Sequence, residues 1–345
     1  MELTTFWFGL IGLLWVGYLV LEGFDFGVGM LMPFLARNET ERRVVINTIG
    51  PVWDGNEVWL LVAGGATFAA FPEWYASLFS GFYLALLLIL VALILRGVAF
   101  EYRGKIDSET WRQRWDLAII VGSFLPALLW GVAFANIVRG VPLDADHQFT
   151  GTLLTLLNPY ALLGGLTTLL LFALHGALFL GLKTRGPIQA EAVSVAFKLA
   201  VPAVGVAAAW ALWTQLAYGA GWTWLAVLVA AGALIGAAVA AFQRREGLGF
   251  ALTSLALAAA VVLIFGSLFP DVLPSTTDPA FSLNTTNASS THYTLVVMTW
   301  VAVLLTPFVL LYQSWTYWVF RRRIGTEDIP PTAGLPRLIQ APAER

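Results

Sequence analysis

Residues 21–30 read LEGFDFGVGM and lie inside an apolar run that extends from Phe6 to Leu35. A helix rises about 1.5 Å per residue, so this run exceeds the roughly 20 residues needed to cross a bilayer. The run nevertheless contains two acids, Glu22 and Asp25. It therefore predicts a membrane-spanning helix that carries ionisable groups well inside the membrane.

The whole chain has the composition of an integral membrane protein. Of its 345 residues, 59% are hydrophobic and only 12% are charged, too few to cover a soluble globule of this size. The absence of cysteine excludes disulfides, iron–sulfur clusters and the covalent attachment of a c-type haem. A net charge of −2 without a basic stripe excludes a nucleic-acid partner.

Nine segments are apolar enough to span the membrane, so we predict an all-α integral membrane protein with nine transmembrane helices. Open strands are excluded, because backbone polar groups in lipid must be satisfied within a helix or a closed barrel. We expect one polytopic domain, 1–345, built as helical-bundle halves. The predicted spans lie near 6–36, 50–71, 78–103, 116–138, 158–182, 197–217, 222–243, 248–269 and 293–320.

The distribution of basic residues predicts the orientation. Sixteen of the 19 Lys and Arg residues fall in the loops after spans one, three, five and seven or in the tail 321–345. Only Arg139 falls in a loop on the opposite side. Basic loops mark the cytoplasmic face, which predicts an N-terminus outside, a cytoplasmic C-terminus and an external loop at 270–291.

The ionisable groups within the membrane are concentrated in the first three spans. Spans six to eight contain no Asp, Glu, Lys, Arg or His between residues 199 and 242 or between 247 and 269. A carboxylate at mid-membrane costs about 2.5–3.5 kcal/mol, so these groups must face the bundle interior, water or a partner subunit. The groups are Glu22, Asp25, Asp54, Glu57 and Arg96, with His175 alone in span five.

The depths of these groups predict a proton-uptake path. Counted from the cytoplasmic end of each span, Asp54 lies about 5 Å deep, Arg96 about 10 Å, Asp25 about 16 Å and Glu22 about 21 Å. Such a ladder from the cytoplasm towards mid-membrane is what proton transfer between water-bridged groups requires. We assign the path to Asp25, Asp54 and Arg96, with Glu22 and Glu57 in secondary roles.

Each of these residues also has a structural interpretation. Arg96 could extend its side chain to the inner interface. Asp54 could only complement the helix dipole in the first turn of its helix, and Glu57 could pack near the surface. Glu22 and Asp25 could form a fixed interhelical hydrogen bond.

His175 is the only histidine within a span, since His147 and His292 lie in or beside external loops. One histidine cannot provide both axial ligands of a haem. We therefore interpret His175 as an interhelical hydrogen-bonding residue, predict no metal site in this chain, and expect any redox centre to be held by another chain.

Three stretches together resemble one family of membrane proteins. They read GFDFG at 23–27, NTIGPVWDGNEVW at 47–59 and RGVAFE at 96–101. In this combination the chain resembles subunit II of the cytochrome bd-type quinol oxidases, also called the cytochrome d ubiquinol oxidase subunit II family. The likeness covers nearly the whole chain, including nine spans and an outside N-terminus.

The resemblance implies a heterodimer with a haem-bearing subunit I of homologous fold, which carries two haems b and one haem d. The complex would oxidise quinol, reduce oxygen to water and draw protons from the cytoplasm, in a bacterial or archaeal cell (inner) membrane. This chain alone would not be catalytic. By the same likeness, Asp25 and Asp54 would line the proton path with Arg96 close by, and Trp53 and Trp59 would approach the haem region. A bound quinone or lipid, and a small single-span third subunit, are compatible with it.

Two other functions fit parts of the sequence. A proton- or cation-coupled secondary transporter could bind its substrate at Glu22, Asp25 and Arg96. Such transporters usually carry ionisable or broken-helix features in both halves, whereas the second half of this chain is nearly uncharged. A purely structural membrane subunit would leave the cost of the two buried acids unexplained, unless both are permanently hydrogen-bonded.

Overall fold

The structure, a computed structural model, describes residues 2–330. Over this range the chain forms eleven α-helices and one small hairpin, in which β1 (Asp271–Leu273) pairs antiparallel with β2 (Leu283–Asn284). The predicted cytoplasmic tail lies outside the described residues from position 331 onward. The helices are α1 (Leu3–Leu35), α2 (Glu39–Ile49), α3 (Trp53–Ala70), α4 (Pro72–Gly81), α5 (Tyr83–Tyr102), α6 (Glu109–Arg139), α7 (Pro159–Lys183), α8 (Pro187–Ala217), α9 (Trp224–Phe242), α10 (Glu246–Leu268) and α11 (His292–Val319).

Eight helical segments in the described part of the chain are long and apolar enough to cross a membrane. They are α1, α5, α6, α7, α8, the segment 221–242 that contains α9, α10 and α11. This supports the prediction of an all-α integral membrane protein. The predicted span 50–71 corresponds to α3, whose 18 residues would extend about 27 Å and include two acids near its start. The count of nine spans and the orientation of the termini therefore stay predictions.

Several helices differ in length from the predicted spans. The predicted span 78–103 starts inside α4, which ends at Gly81 and is followed by the separate helix α5. Helix α8 begins at Pro187, ten residues before the predicted start at 197, and α6 begins seven residues before 116. These extensions contain polar residues, so hydropathy alone does not detect them.

The ends of the helices follow from local sequence. The Asn38 side chain accepts a hydrogen bond from the backbone N–H of Glu41 at 3.0 Å and begins α2. Asn158 caps α7 in the same way, directly before Pro159. Helix α6 ends at Arg139, and the next residue, Gly140, has a φ of 86° that favours glycine. These signals fix where the chain leaves each helix.

Helix α1 lies at the centre of the fold and packs against α3, α6, α7 and α10. Its second half is buried without interruption from Glu22 to Met32. The later helices pack in sequence order, α7 on α8, α8 on α9 and α9 on α10. The acids of α1 are therefore enclosed by protein on several sides.

Helices α1 and α7 approach each other closely at two glycines. A Cβ atom at Gly27 would collide with the carbonyl oxygen of Phe172 and lie 2.8 Å from the Cα of Gly176. Backbone atoms cannot move aside as a flexible side chain can. Gly27 and Gly176 thus set the distance between the two helices, as small residues do at membrane helix interfaces.

We expect Gly27→Ala to lower the stability of the protein by about 1–3 kcal/mol, the usual cost of an overpacked interior. Gly9→Ala is the matched control, since it lies on the same helix and a Cβ there would meet nothing within 4 Å. The thermal midpoint of the detergent-solubilised protein measures the difference. Equal midpoints for the two variants would contradict the close contact between α1 and α7.

The predicted external loop 270–291 contains the hairpin and is packed against the bundle. Leu273 and Leu283 are fully buried, and the backbone N–H of Ser290 donates to the carbonyl of Ala70 at 2.8 Å. This segment therefore closes one end of the bundle beside the C-terminus of α3.

At the other end, a group of charges joins α2 to α5 and α6. Arg103 donates to both carboxylate oxygens of Glu39 at 2.8 Å and also binds Asp116. Burial raises the pKa of the Glu39 carboxyl, but the hydrogen bond and charge of Arg103 outweigh it and lower the pKa below its usual value. The bridge ties α2, and so the start of α3, to the rest of the bundle.

Candidate functional site

The two acids of α1 are fully buried in the bundle. Glu22 and Asp25 have no exposed surface, and their i, i+3 spacing puts them on neighbouring positions of one helix face. Gly29 continues that face and packs against Ser123 of α6. Both carboxylates therefore face α3, α5 and α6 rather than lipid.

Arg96 of α5 pairs with Glu22. Its Nη2 atom donates to Glu22 Oε1 and lies 3.7 Å from Glu57 Oε2, while its guanidinium lies 4.6 Å from the centre of the Phe26 ring. Arg96 has no exposed surface, so its side chain does not extend to the inner interface. The arrangement gives a buried cation shared by two carboxylates, one of them partly exposed.

Asp25 instead binds an amide. Asn56 Nδ2 of α3 donates to Asp25 Oδ2 at 2.7 Å. Asn56 Oδ1 accepts from the hydroxyl of Tyr317 at 2.7 Å and from Nε2 of Gln313 at 3.1 Å, both on α11. A chain of hydrogen bonds therefore connects α11, α3 and the acid of α1.

Some polar atoms of this cluster have no hydrogen-bond partner among residues 2–330. They are Glu22 Oε2, Asp25 Oδ1, Ser123 Oγ, and Nε and Nη1 of Arg96. Buried polar atoms are nearly always paired, and a charged group left unpaired costs several kcal/mol by typical magnitudes. These atoms are available for further hydrogen bonds, as is expected of groups that exchange protons with water or with a partner protein.

Asp54 does not join the buried cluster. It is exposed at the second residue of α3, and its Oδ1 accepts a hydrogen bond from the backbone N–H of Gly55 at 2.7 Å. Asn56 and Glu57, one turn or less further along α3, connect this end of the helix to Asp25 and Arg96. Asp54 thus lies at the surface end of the helix that carries both connections.

The two tryptophans predicted near a haem are half-buried on α3. The ring of Trp53 packs 5.1 Å from that of Phe100 and against Gly97 on α5. Trp59 packs over Gly17 of α1, where a Cβ would overlap its ring. Both rings therefore fill gaps between helices, and both residues stay partly exposed.

His175 has both ring nitrogens engaged. Its Nδ1 lies 2.6 Å from Thr253 Oγ1 and its Nε2 lies 3.1 Å from the carbonyl oxygen of Val20, while its ring stacks on Phe250 at 4.4 Å. Because both nitrogens are used, His175 does not fit as a haem ligand. Among residues 2–330 no group of three or more His, Cys, Asp or Glu is arranged to hold a metal ion.

An apolar cavity of about 470 Å³ lies between α1, α3, α4, α5, α6 and α10. Aromatic side chains line much of it, among them Trp15, Trp74, Phe82, Trp130 and Phe265. The lining is almost entirely apolar, so this cavity is separate in character from the charged cluster.

Sequence reasoning did not identify Gln313 and Tyr317 as site residues. Their i, i+4 spacing on an apolar helix was the available signal, since it puts an amide and a hydroxyl on one face. Tyr18, whose hydroxyl accepts from Trp130 Nε1 at 3.1 Å in the same interior, was likewise missed.

Comparison with known proteins identifies the family. The model described as cytochrome bd terminal oxidase subunit II matches residues 3–320, most of the chain. The chain belongs to the cytochrome bd terminal oxidase subunit II family. The resemblance predicted from the three motifs is confirmed. As a member, the chain is a subunit of an oxidoreductase complex, a result that favours the oxidase prediction over the transporter.

Two relatives cover almost the whole chain. "Cytochrome bd ubiquinol oxidase subunit 2" of Bacillus subtilis (strain 168) is 44% identical over 333 residues, covering 95% of this chain and 98% of the relative. "Cytochrome bd-I ubiquinol oxidase subunit 2" of Escherichia coli (strain K12) is 40% identical over 365 residues, covering 95% of this chain and 96% of the relative. This subunit II is therefore similar to such subunits along nearly its full length.

The fold is also that of one chain in a solved bd oxidase structure. The bd oxidase from Geobacillus thermodenitrificans contains a chain that matches with a TM-score of 0.73, at 19% identity, over 90% of this chain and 98% of that one. For a subunit II, the family implies haem in the complex and a partner subunit. Since His175 does not fit as a ligand, no chemical step is assigned to haem within this chain.

Proposed function

We propose that the chain is subunit II of a membrane quinol:oxygen oxidoreductase. It would pair with a haem-bearing subunit I and supply a cytoplasmic proton path for the reduction of oxygen to water. The buried cluster of Asp25, Asn56, Glu22 and Arg96 carries this proposal. The names of the relatives, ubiquinol oxidase subunits, support the substrate class.

In this proposal the chain crosses the membrane nine times, with α3 as the second span. The N-terminus is outside, the segment 270–291 is external and the tail 321–345 is cytoplasmic. The distribution of basic residues supports this orientation. The Arg103 bridge, at the end of the bundle opposite the hairpin, then lies at the cytoplasmic face.

The proposed path starts at Asp54 and leads inward to Asp25. Asp54 is the exposed acid at the cytoplasmic end of α3, and Asp25 is the buried acid that α3 contacts through Asn56. Asp25 takes up a proton and releases it towards the partner subunit. Arg96 pairs with Glu22 and lies 3.7 Å from Glu57, which leaves Asp25 as the buried acid without an arginine partner.

The haems b and d belong to the partner in this proposal, and when bound they pass electrons from quinol to oxygen. The chain's own part is to hold and move protons and to fill the interface. Trp53 and Trp59 are the candidates for the surface near the haems, because each residue is partly exposed.

The apolar cavity offers room for an isoprenoid or acyl chain, which supports a bound quinone tail or lipid. A small single-span third subunit is compatible with this proposal, because many side chains of α5 and α11 are exposed and apolar and would be available for contact with it. The complex as a whole would be a multi-pass protein of the bacterial or archaeal cell membrane.

A visible spectrum tests the proposed function directly. The tagged chain is purified in mild detergent from cells that express the neighbouring oxidase subunit, and its absorption is recorded before and after reduction. We expect a haem-bearing partner at one-to-one stoichiometry and quinol-dependent oxygen uptake. A colourless chain that purifies alone under conditions in which the partner is expressed would refute the assignment.

A further inference from the structure

Helix α11 packs loosely on the rest of the chain. Of its 28 residues only Leu295 is buried, and most of its large apolar side chains are exposed. Side-chain packing therefore contributes little to its position in this chain. Directional polar contacts carry more of the attachment, as expected between helices in lipid.

Besides the contact with Asn56, polar contacts attach α11 towards each of its ends. Towards its N-terminus, Trp7 Nε1 of α1 lies 3.1 Å from Thr299 Oγ1 and 3.3 Å from the carbonyl oxygen of Leu295. Beyond its C-terminus, Lys183 donates to the carbonyl of Phe320 and, at 3.1 Å, to that of Arg322. These contacts hold the inner part of α11, with Gln313 and Tyr317, at a fixed position over α3.

The contact with Asn56 sets the direction of an amide. Tyr317 and Gln313 both donate to Asn56 Oδ1, at 2.7 and 3.1 Å. An oxygen that accepts two donors from α11 leaves the Nδ2 group pointing the other way, where it donates to Asp25 Oδ2 at 2.7 Å. A reversed amide would present its oxygen to the carboxylate and repel it.

We propose that Tyr317 and Gln313 are positioning residues for Asp25, acting through Asn56. They hold the amide so that its N–H binds Oδ2, which leaves Oδ1 as the atom that gains and loses the proton. Oδ1 is the buried oxygen of Asp25 that has no hydrogen-bond partner in the described part of the chain. The inference rests on the proposed proton path and adds the element that controls its central acid.

The groups around Asp25 come from several helices. Glu57 on α3, Tyr18 on α1 and Tyr317 on α11 are close enough to influence Asp25 or be influenced by it. Arg96 on α5, already paired with Glu22, is the nearby cation. Of these four residues, only Tyr317 contacts the Asn56 amide that binds Asp25. Tyr317→Phe therefore changes the hydrogen bonding of Asn56 without removing a charge near Asp25.

The test uses the purified complex with its partner subunit. The double variant Tyr317→Phe/Gln313→Leu removes both donors to Asn56, and Tyr317→Phe or Gln313→Leu alone removes one. Tyr312→Phe is the matched control, since it removes the same hydroxyl group from the same helix at a position away from Asn56. Tyr312 is 66% exposed. The haem spectrum reports assembly, and oxygen uptake at saturating quinol is measured across pH.

We expect the double variant to keep the haem spectrum. Its turnover should fall about tenfold, and its pH profile of turnover should shift by about one pH unit. Each change corresponds to the free energy of about one hydrogen bond to a charged group. The single variants should show smaller changes of the same kind. The infrared carboxyl band that Asp25→Asn removes should move in the double variant. Tyr312→Phe should change none of these.

Two negative results would separate the proposals. If Asp25→Asn leaves turnover intact, the proton path itself fails. If Asp25→Asn impairs turnover while the double variant and both single variants keep the wild-type pH profile and infrared band, the path stands and the positioning role is refuted. If the double variant does not assemble, the single variants decide.

Discussion

Asp25→Asn should lower quinol oxidase turnover about 100-fold or more, the scale on which a positioned acid–base group contributes. The asparagine is the same size and its side-chain oxygen still accepts the hydrogen bond from Asn56. It cannot take up a proton at Oδ1. We therefore expect haem content and stability close to those of the wild type, measured by the reduced-minus-oxidised spectrum alongside oxygen uptake.

Asp54→Asn should impair turnover less, because an exposed acid at the start of α3 can be replaced by water. Asp107→Asn is the matched control, since Asp107 is an exposed acid that pairs with Arg112 and has no contact with the buried cluster among the described residues. Full turnover in the Asp25→Asn/Asp54→Asn double variant would remove both residues from the path. Loss of haem in Asp25→Asn would instead make Asp25 a structural residue.

Arg96→Met should destabilise the complex by about 3–5 kcal/mol, because it leaves the Glu22 carboxylate buried without its cation. Arg37→Met is the control. Arg37 also pairs with a glutamate, Glu191, but its side chain is 77% exposed, so its loss should cost less than about 1 kcal/mol. The thermal midpoint of the haem spectrum measures both.

The double variant Glu22→Gln/Arg96→Met should recover most of the lost stability, since replacing a buried ion pair as a whole is often close to neutral. The two single variants and the double form a cycle that isolates the pair interaction. Additive losses would mean that Arg96 stabilises the bundle mainly through its contacts with Phe26 and Phe100 rather than through Glu22.

Much of the fold could be read from hydropathy because lipid leaves the backbone few choices. A run of about 20 apolar residues has to form a helix, and the positions of α1, α7, α9 and α10 agree with their predicted spans within a few residues. Prediction from hydropathy failed where a helix contains polar residues outside the apolar run. Hydropathy does not detect the first ten residues of α8 or the amphipathic helix α2.

The candidate site was predictable to the extent that charge is costly in lipid. That cost indicated that Glu22, Asp25 and Arg96 face the bundle interior, water or a partner subunit, and the structure puts all three in the interior. It did not indicate which acid the arginine binds. Residue spacing along single helices cannot decide a contact between α1 and α5.

The sequence by itself determined the family, the membrane helices and the buried acids, because each depends on local composition or on contiguous motifs. Only the tertiary structure decided that Arg96 binds Glu22 while Asp25 binds Asn56, and that α11 orients this amide from more than 250 positions away in the chain. Those contacts depend on how helices approach in three dimensions. A hydrogen bond between distant residues leaves no periodic signal in either segment.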